Sequence, residues 1–569
     1  MFITMFDYFF VVLSQKIYGM KKIILFQIVL AGLISATPAK AIDSEIIADT
    51  IIEKVIKLAR DDNQTMRHLD VMTNRFGGRL LGSGAYEDAA KWALTMFKDW
   101  GLEADYDYAG ELPVGFNRGP WFGRMIGGNG MTLHFTTPSY TSGTKGIQRG
   151  TVVREPYTTA DFERMKGTVD GAWVLVGGKS IGWPIDYTNS ATQERAKIIA
   201  KNDSIEKINS GIRRRNSAVA YQKHTLEREI TEENDPMVKA KKQREYDALT
   251  TEDLIPIEKV PGLFYKQMQD AGMLGVIQSA TVPITTLYDR KNIDSLTWET
   301  LSVLPDIKLD EQQFEEISRM VDRGEYFQLE FDIRNHFRLG PIPYYNVIAM
   351  IPGTEKPEEI VICCGHLDSY DVATGGVDCG TGIAPTMEAA RLLATAGAKP
   401  KRTIMFCLWA GEEFGLLGSK HWVENNTDKL PFIINVFNRD GGPLVPESLT
   451  VPQEWYDALL PVVAPLENLN PDFPFRLMIG ENYPTERPEK AGGSDHAYFA
   501  MNGVPTIGLG LGDPKGYNFN YGEIWHTDRD LYNKSIPEYM DQTSIVNAII
   551  LYGIANMDNR LPAEGVYKP

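Results

Sequence analysis

From Tyr344 onward the chain carries five apolar runs: NVIAMIPG, EEIVICCGH, RTIMFCLWAGEE, FIINVFNRDGG and GVPTIGLGL. Turns bound each run, and helical patterns such as IAPTMEAARLLATAG separate them. A run that is continuously apolar, with no polar alternation, belongs to a strand buried on both faces. Strands of that kind alternating with helices specify an α/β three-layer sandwich around a mixed, largely parallel sheet. No internal repeat or low-complexity tract competes with that reading.

In open α/β sheets, ligands bind beyond the carboxyl ends of the strands. After IVICC come Gly365-His366-Leu367-Asp368 and then Asp378. After TIMFCLWA come Glu412 and Glu413, and after IINVFN comes Asp440. The late loop YGEIWHTDRD holds His526. Two imidazoles and several carboxylates are donors that catalytic zinc uses, and one ion needs about three protein ligands. The surplus suits two Zn2+ ions bridged by one carboxylate. A further carboxylate that touches the water instead of the metal serves as general base. The adjacent Glu412 and Glu413 supply one base and one ligand. Singly, each piece has a plainer reading: a strand-end aspartate often just caps a helix, and Glu-Glu is a common surface pair. Their joint placement points to a site.

The stretches GHLDSYDVATGGVDCGTG, WAGEEFGLLGS, NRDGG, GGSDHAYF and IWHT stand in that order. In them the chain resembles the co-catalytic di-zinc exopeptidases, a family that includes plasma glutamate carboxypeptidase (carboxypeptidase Q) and the bacterial leucyl aminopeptidases. RFGGRLLGS near the N-terminus extends the resemblance more weakly over most of the chain. The resemblance implies that His366 binds one zinc and Asp378 bridges both. Glu413 is then a ligand beside the general base Glu412, and Asp440 and His526 complete the two coordination spheres. Asp368 is expected to steer His366 from the outer shell. The Ser494-Asp495-His496 loop either lines the substrate pocket or is a structural turn. Family members often carry a second aspartate after the bridging one, where this chain has Cys379. A thiolate suits zinc, yet the ligand set is complete without it. The neighbour of a ligand on an extended chain points the other way, so Cys379 is expected to pack without ligating.

Between Gly130 and Phe337 the texture changes to short strand-like runs: GTVVRE, GAWVLVGG, MLGVIQSA and YFQLEFDI. With AGMLGVIQSA, this region looks like a protease-associated domain inserted into the catalytic fold. The expected division is 42–129 and 338–569 for the catalytic domain and 130–337 for the insert. Within the insert, 191–253 is dense in charge and reads as a solvated helical hairpin or a mobile excursion.

Residues 1–41 read as a signal peptide, with Met20 as a possible true start. Two lysines precede an apolar run, and Ala39-Lys40-Ala41 fits the cleavage rule. The mature protein is then exported, periplasmic or secreted; an uncleaved anchor is the alternative. No later segment is apolar enough to span a membrane. A formal charge of −17 argues against a nucleic-acid partner. The four cysteines lack framework spacing and read as buried hydrophobes. There is no P-loop or HExxH string. The expectation is an exported zinc metallo-exopeptidase acting on dipeptides and short peptides, with the end it cleaves left open and a homodimer implied by the resemblance. The alternatives are a glutaminyl cyclase-like transferase with one zinc, or a non-catalytic receptor-type domain on the same fold.

Overall fold

Four of the five apolar runs form one sheet. In a computed structural model, residues 50–480, 486–562 and 566–567 are described; the signal-peptide reading lies outside them. The sheet order is Glu103–Asn117, His336–Ile351, Arg402–Trp409, Lys356–His366, Ile433–Asn438. The last three strands are mutually parallel, and His336–Ile351 runs against all its neighbours. The sheet is therefore mixed, and its parallel half carries the strand ends singled out above.

Alternation along each strand divides the core in two. Val361 and Cys363 face a cluster with the helices Thr50–Asp61, Gly84–Asp99, Gly380–Ala396 and Pro537–Asn556. Ile362 and Cys364 face a second cluster with Trp422 and Phe499, on Leu417–Asn425 and Ala497–Met501. Helices on both faces of a sheet make the three layers.

Two departures from the sequence reading concern the edges. Glu103–Asn117, polar along its first half, pairs antiparallel with His336–Ile351 over nearly its whole length. In GVPTIGLGL only Leu509–Gly512 is a strand, and it joins a separate three-stranded sheet with Val445–Val451 and Arg476–Ile479. Pro505 in this run has no N–H for a ladder. Instead, the Asn435 side chain exchanges two hydrogen bonds of 2.9 Å with the backbone of Ile507.

A seven-stranded sheet stands apart in sequence. Its order is Trp121–Ile126, Gln328–Ile333, Gln148–Arg154, Ala172–Ser180, Gly275–Ala280, Asp306–Asp310, Phe135–Thr136. Trp173, Ile277, Leu329 and Phe331 pack one of its faces, and Phe162, Val174, Phe264 and Met268 the other. From it projects a helical hairpin, Asn189–Glu232 followed by Pro236–Ala248. Three asparagines seven residues apart clamp the returning chain. Asn202, Asn209 and Asn216 each accept from the backbone N–H, and donate to the carbonyl, of Glu258, Ile255 and Glu252 respectively. Seven helical residues rise about 10.5 Å and three extended residues about 10 Å, so the two repeats stay in register.

Candidate metal centre

The strand Lys356–His366 delivers a fully buried imidazole to the end of the sheet. His366 Nε2 lies 3.2 Å from Asp378 Oδ1 and 3.3 Å from Asp440 Oδ1. The other oxygen of Asp378, Oδ2, lies 3.5 Å from His526 Nε2, which is 2.8 Å from Glu413 Oε2. One carboxylate thus stands between two histidines and offers an oxygen to each. Asp378, Glu412, Glu413, Asp440 and His526 line one open cavity of about 1000 Å³. The structure brings together all six residues predicted as ligands or base.

Asp368 meets His366 through its backbone as well as its carboxylate. The His366 Nδ1 contact is closer to the Asp368 carbonyl, at 3.0 Å, than to its carboxylate, at 3.7 Å. The carboxylate also accepts from the backbone N–H groups of Glu412 and Glu413, at 3.1 and 3.3 Å. Asp368 therefore orients the imidazole with its backbone and the glutamate pair with its side chain. Ser494 and His496 line the cavity, whereas Asp495 turns inward and accepts from Ser419 at 2.5 Å. Cys379 does not point away. Its Sγ and ligand atoms of His366 and Asp440 all lie within 4.8 Å of one another. Cys379 caps the helix Gly380–Ala396 at φ −109° and ψ 39°, so strand alternation has ended before it. Its thiol donates to the Arg439 carbonyl at 3.1 Å.

Two supporting residues carry no motif of their own. Arg79, fully buried, donates to the carbonyls of Leu367, Thr374 and Gly375 at 2.7, 2.8 and 3.1 Å. Asp530 accepts from the N–H of Val377 at 2.6 Å and of Asp378 at 3.3 Å. Between them they fix both ends of the loop that bears Asp378. Arg79 sits in RFGGRLLGS and Asp530 in YGEIWHTDRD, so a buried-charge reading of those stretches was the signal available.

The electrostatics favour a cation. Nδ1 of His366 faces only oxygens of Asp368 and so carries the ring proton, which leaves the Nε2 lone pair facing two carboxylate oxygens. Burial disfavours a second proton, yet the field of Cys379, Asp440 and Glu412 raises the His366 pKa well above its ordinary value. Burial, with repulsion from Glu413, Asp440 and Asp495, lifts the Glu412 carboxyl well above its own. Glu413 is raised likewise by burial and Asp378. Burial pushes His526 down to about 4, keeping it neutral and a good donor. Glu413 Oε1 is buried and has no hydrogen-bond partner among the described residues. A divalent cation among these atoms would turn each repulsion into attraction, and the nitrogen and oxygen donors suit zinc.

Comparison with known proteins bears on the same residues. Residues 346–550 match peptidase family M28. All six residues predicted as ligands or base fall within the matched region, and the resemblance to zinc exopeptidases stands. Carboxypeptidase Q of Rattus norvegicus is 29% identical over 302 residues, covering 52% of this chain and 59% of that protein. Carboxypeptidase Q of Homo sapiens is 30% identical over 220 residues, covering 38% of this chain and 43% of that one. The chain thus spans roughly half the length of these curated relatives. The crystal structure of a peptidase M28 precursor from Shewanella amazonensis superposes with a TM-score of 0.52 at 20% identity, covering 91% of this chain and 98% of that one. The M28 region and its surroundings share that fold.

Proposed function

We propose that the chain is a zinc metallo-exopeptidase that hydrolyses the terminal bond of dipeptides and short peptides, holding two ions at this centre. The observation that carries the reading is Asp378, with one oxygen toward His366 and the other toward His526. In this reading His366 and Asp440 would hold one ion, Glu413 and His526 the other, and Asp378 would serve both. Bound there, zinc supplies Lewis acidity for the scissile carbonyl and lowers the pKa of a water. Glu412 takes a proton from the attacking water as the water oxygen bonds to the carbonyl carbon. As the C–N bond breaks, Glu412 returns that proton to the leaving amine nitrogen. A carboxyl raised by burial and its neighbour Glu413 is suited to both transfers.

The cavity walls support a short substrate with a free carboxyl end. Arg290 and Lys291 lie on the same lining, where they favour a terminal carboxylate. Arg290 pairs through Nε with Asp294 at 3.0 Å, and Lys291 has no carboxylate partner among the described residues. The seven-stranded sheet, called the second sheet from here on, is read as an inserted protease-associated module. Export of the mature chain belongs to the same proposal.

The test is release of free amino acids from dipeptides with free, acetylated or amidated ends, using purified zinc-loaded protein beside Glu412→Gln. Wild type is expected to cleave free dipeptides and to lose rate when an end is blocked. Glu412→Gln is expected to bind the same zinc and to turn over about a thousandfold more slowly. No hydrolysis by wild type with two zinc ions bound overturns the proposal.

A further inference from the structure

His526 holds a backbone conformation that its own sequence does not favour. Its φ is +55°, in the left-handed region that costs a residue with a β-carbon about 1 kcal/mol or more. Such a conformation persists where its surroundings over-determine it. Here the surroundings come from the region of the second sheet. Thr285 pairs with Thr527 in an isolated antiparallel bridge. Thr286 N–H donates to the His526 carbonyl at 2.9 Å, and Asp528 N–H donates to the Ile284 carbonyl at 3.2 Å. The Asp528 side chain closes the junction: Oδ1 accepts from Ile284 N–H at 3.0 Å, and Oδ2 lies 2.7 Å from His134 Nε2.

His134 is itself tied to that sheet. Its N–H donates to Gln313 Oε1 at 2.8 Å, its carbonyl accepts from Asp310 N–H at 3.0 Å, and Phe135 beside it pairs with Leu309. Two residues beyond Asp528, Asp530 holds the backbone of Asp378. The segment 526–530 therefore links the second sheet to the loop of the bridging carboxylate, with His526 at the link.

We propose that the second sheet is a structural part of the metal centre. Through the Ile284–Thr286 strap and the His134–Asp528 pair it holds His526 at the site, and Asp528 and His134 are positioning residues for that ligand. The inference rests on the two-zinc reading above. It adds that one of the two ions is held only as firmly as this junction. Outer contacts that orient a ligand typically govern metal affinity by about 10–100-fold.

Zinc content and affinity, measured by competition with a chromophoric chelator on the full protein, test it. Wild type is expected to hold two equivalents. Asp528→Ala is expected to hold one as tightly as wild type and the other at least about tenfold more weakly. The zinc-free protein should melt within a few degrees of wild type. His134→Ala, at a side chain 45% exposed and so safe for folding, should shift the same ion by less. His134→Gln, which keeps an N–H toward Asp528, should recover most of the loss. Two equivalents at wild-type affinity in both Asp528→Ala and His134→Ala overturn the proposal. A wild type that binds no zinc strikes instead at the peptidase reading beneath it.

Discussion

Arg79 is the residue on which the ligand loop hangs. A planar guanidinium meets three carbonyl oxygens in different directions, from Leu367, Thr374 and Gly375, in a fully buried place. Lysine has a single point charge and no fork. Gly78 beside it is required for another reason: a β-carbon there would lie 2.5 Å from the Asp371 Cα. Arg79→Lys is expected to lose two of the three charge-assisted bonds and about 3 kcal/mol of stability, read by urea unfolding. Zinc affinity should fall with it, because the backbone of the Asp378 loop is no longer held. Unchanged unfolding and affinity would show that the carbonyls find other donors.

At the scale of elements, the helical hairpin is held at its base by a ladder that hydrophobic periodicity does not register. The buried side chains of Asn189–Glu232 end at Ile212, and Pro236–Ala248 has none. What aligns the returning chain is the seven-residue spacing of Asn202, Asn209 and Asn216 against Glu258, Ile255 and Glu252. Asn209→Ala leaves the N–H and carbonyl of Ile255 without their partner. It is expected to cost about 1–2 kcal/mol locally and to raise amide exchange and proteolytic cleavage between residues 249 and 260. Exchange at Ile255 equal to wild type would mean that the ladder follows the chain path instead of setting it.

For the whole molecule, the strap 284–286 ties the region of the seven-stranded sheet to the candidate site while the hairpin tip stands outside it. Beyond Asn216 the hairpin contains no buried residue. Replacing residues 217–250 by a short glycine-serine turn is expected to leave dipeptide hydrolysis within about twofold and the melting temperature within a few degrees, since surface segments without burial contribute little. A large loss of activity would mean that the tip takes part in substrate entry or assembly.

Strand positions, their buried character and the ligand types at their ends were legible in the sequence, because periodicity and residue chemistry are local. His366, Asp378, Glu412, Glu413 and Asp440 could be picked out after successive apolar runs, and His526 from a late loop. Tertiary structure alone decided which way side chains turn and what they meet. Cys379 faces the centre because the chain bends into a helix there. Asp368 serves the glutamate pair across 44 and 45 residues of chain. GVPTIGLGL leaves the main sheet as Asn435, 72 residues away, takes up the backbone of Ile507. His526 is shaped by a strap from residues 284–286 and by His134, 394 residues before its partner Asp528. Those partners are chosen by hydrogen-bond satisfaction between distant segments, a constraint that appears only once the chain is folded.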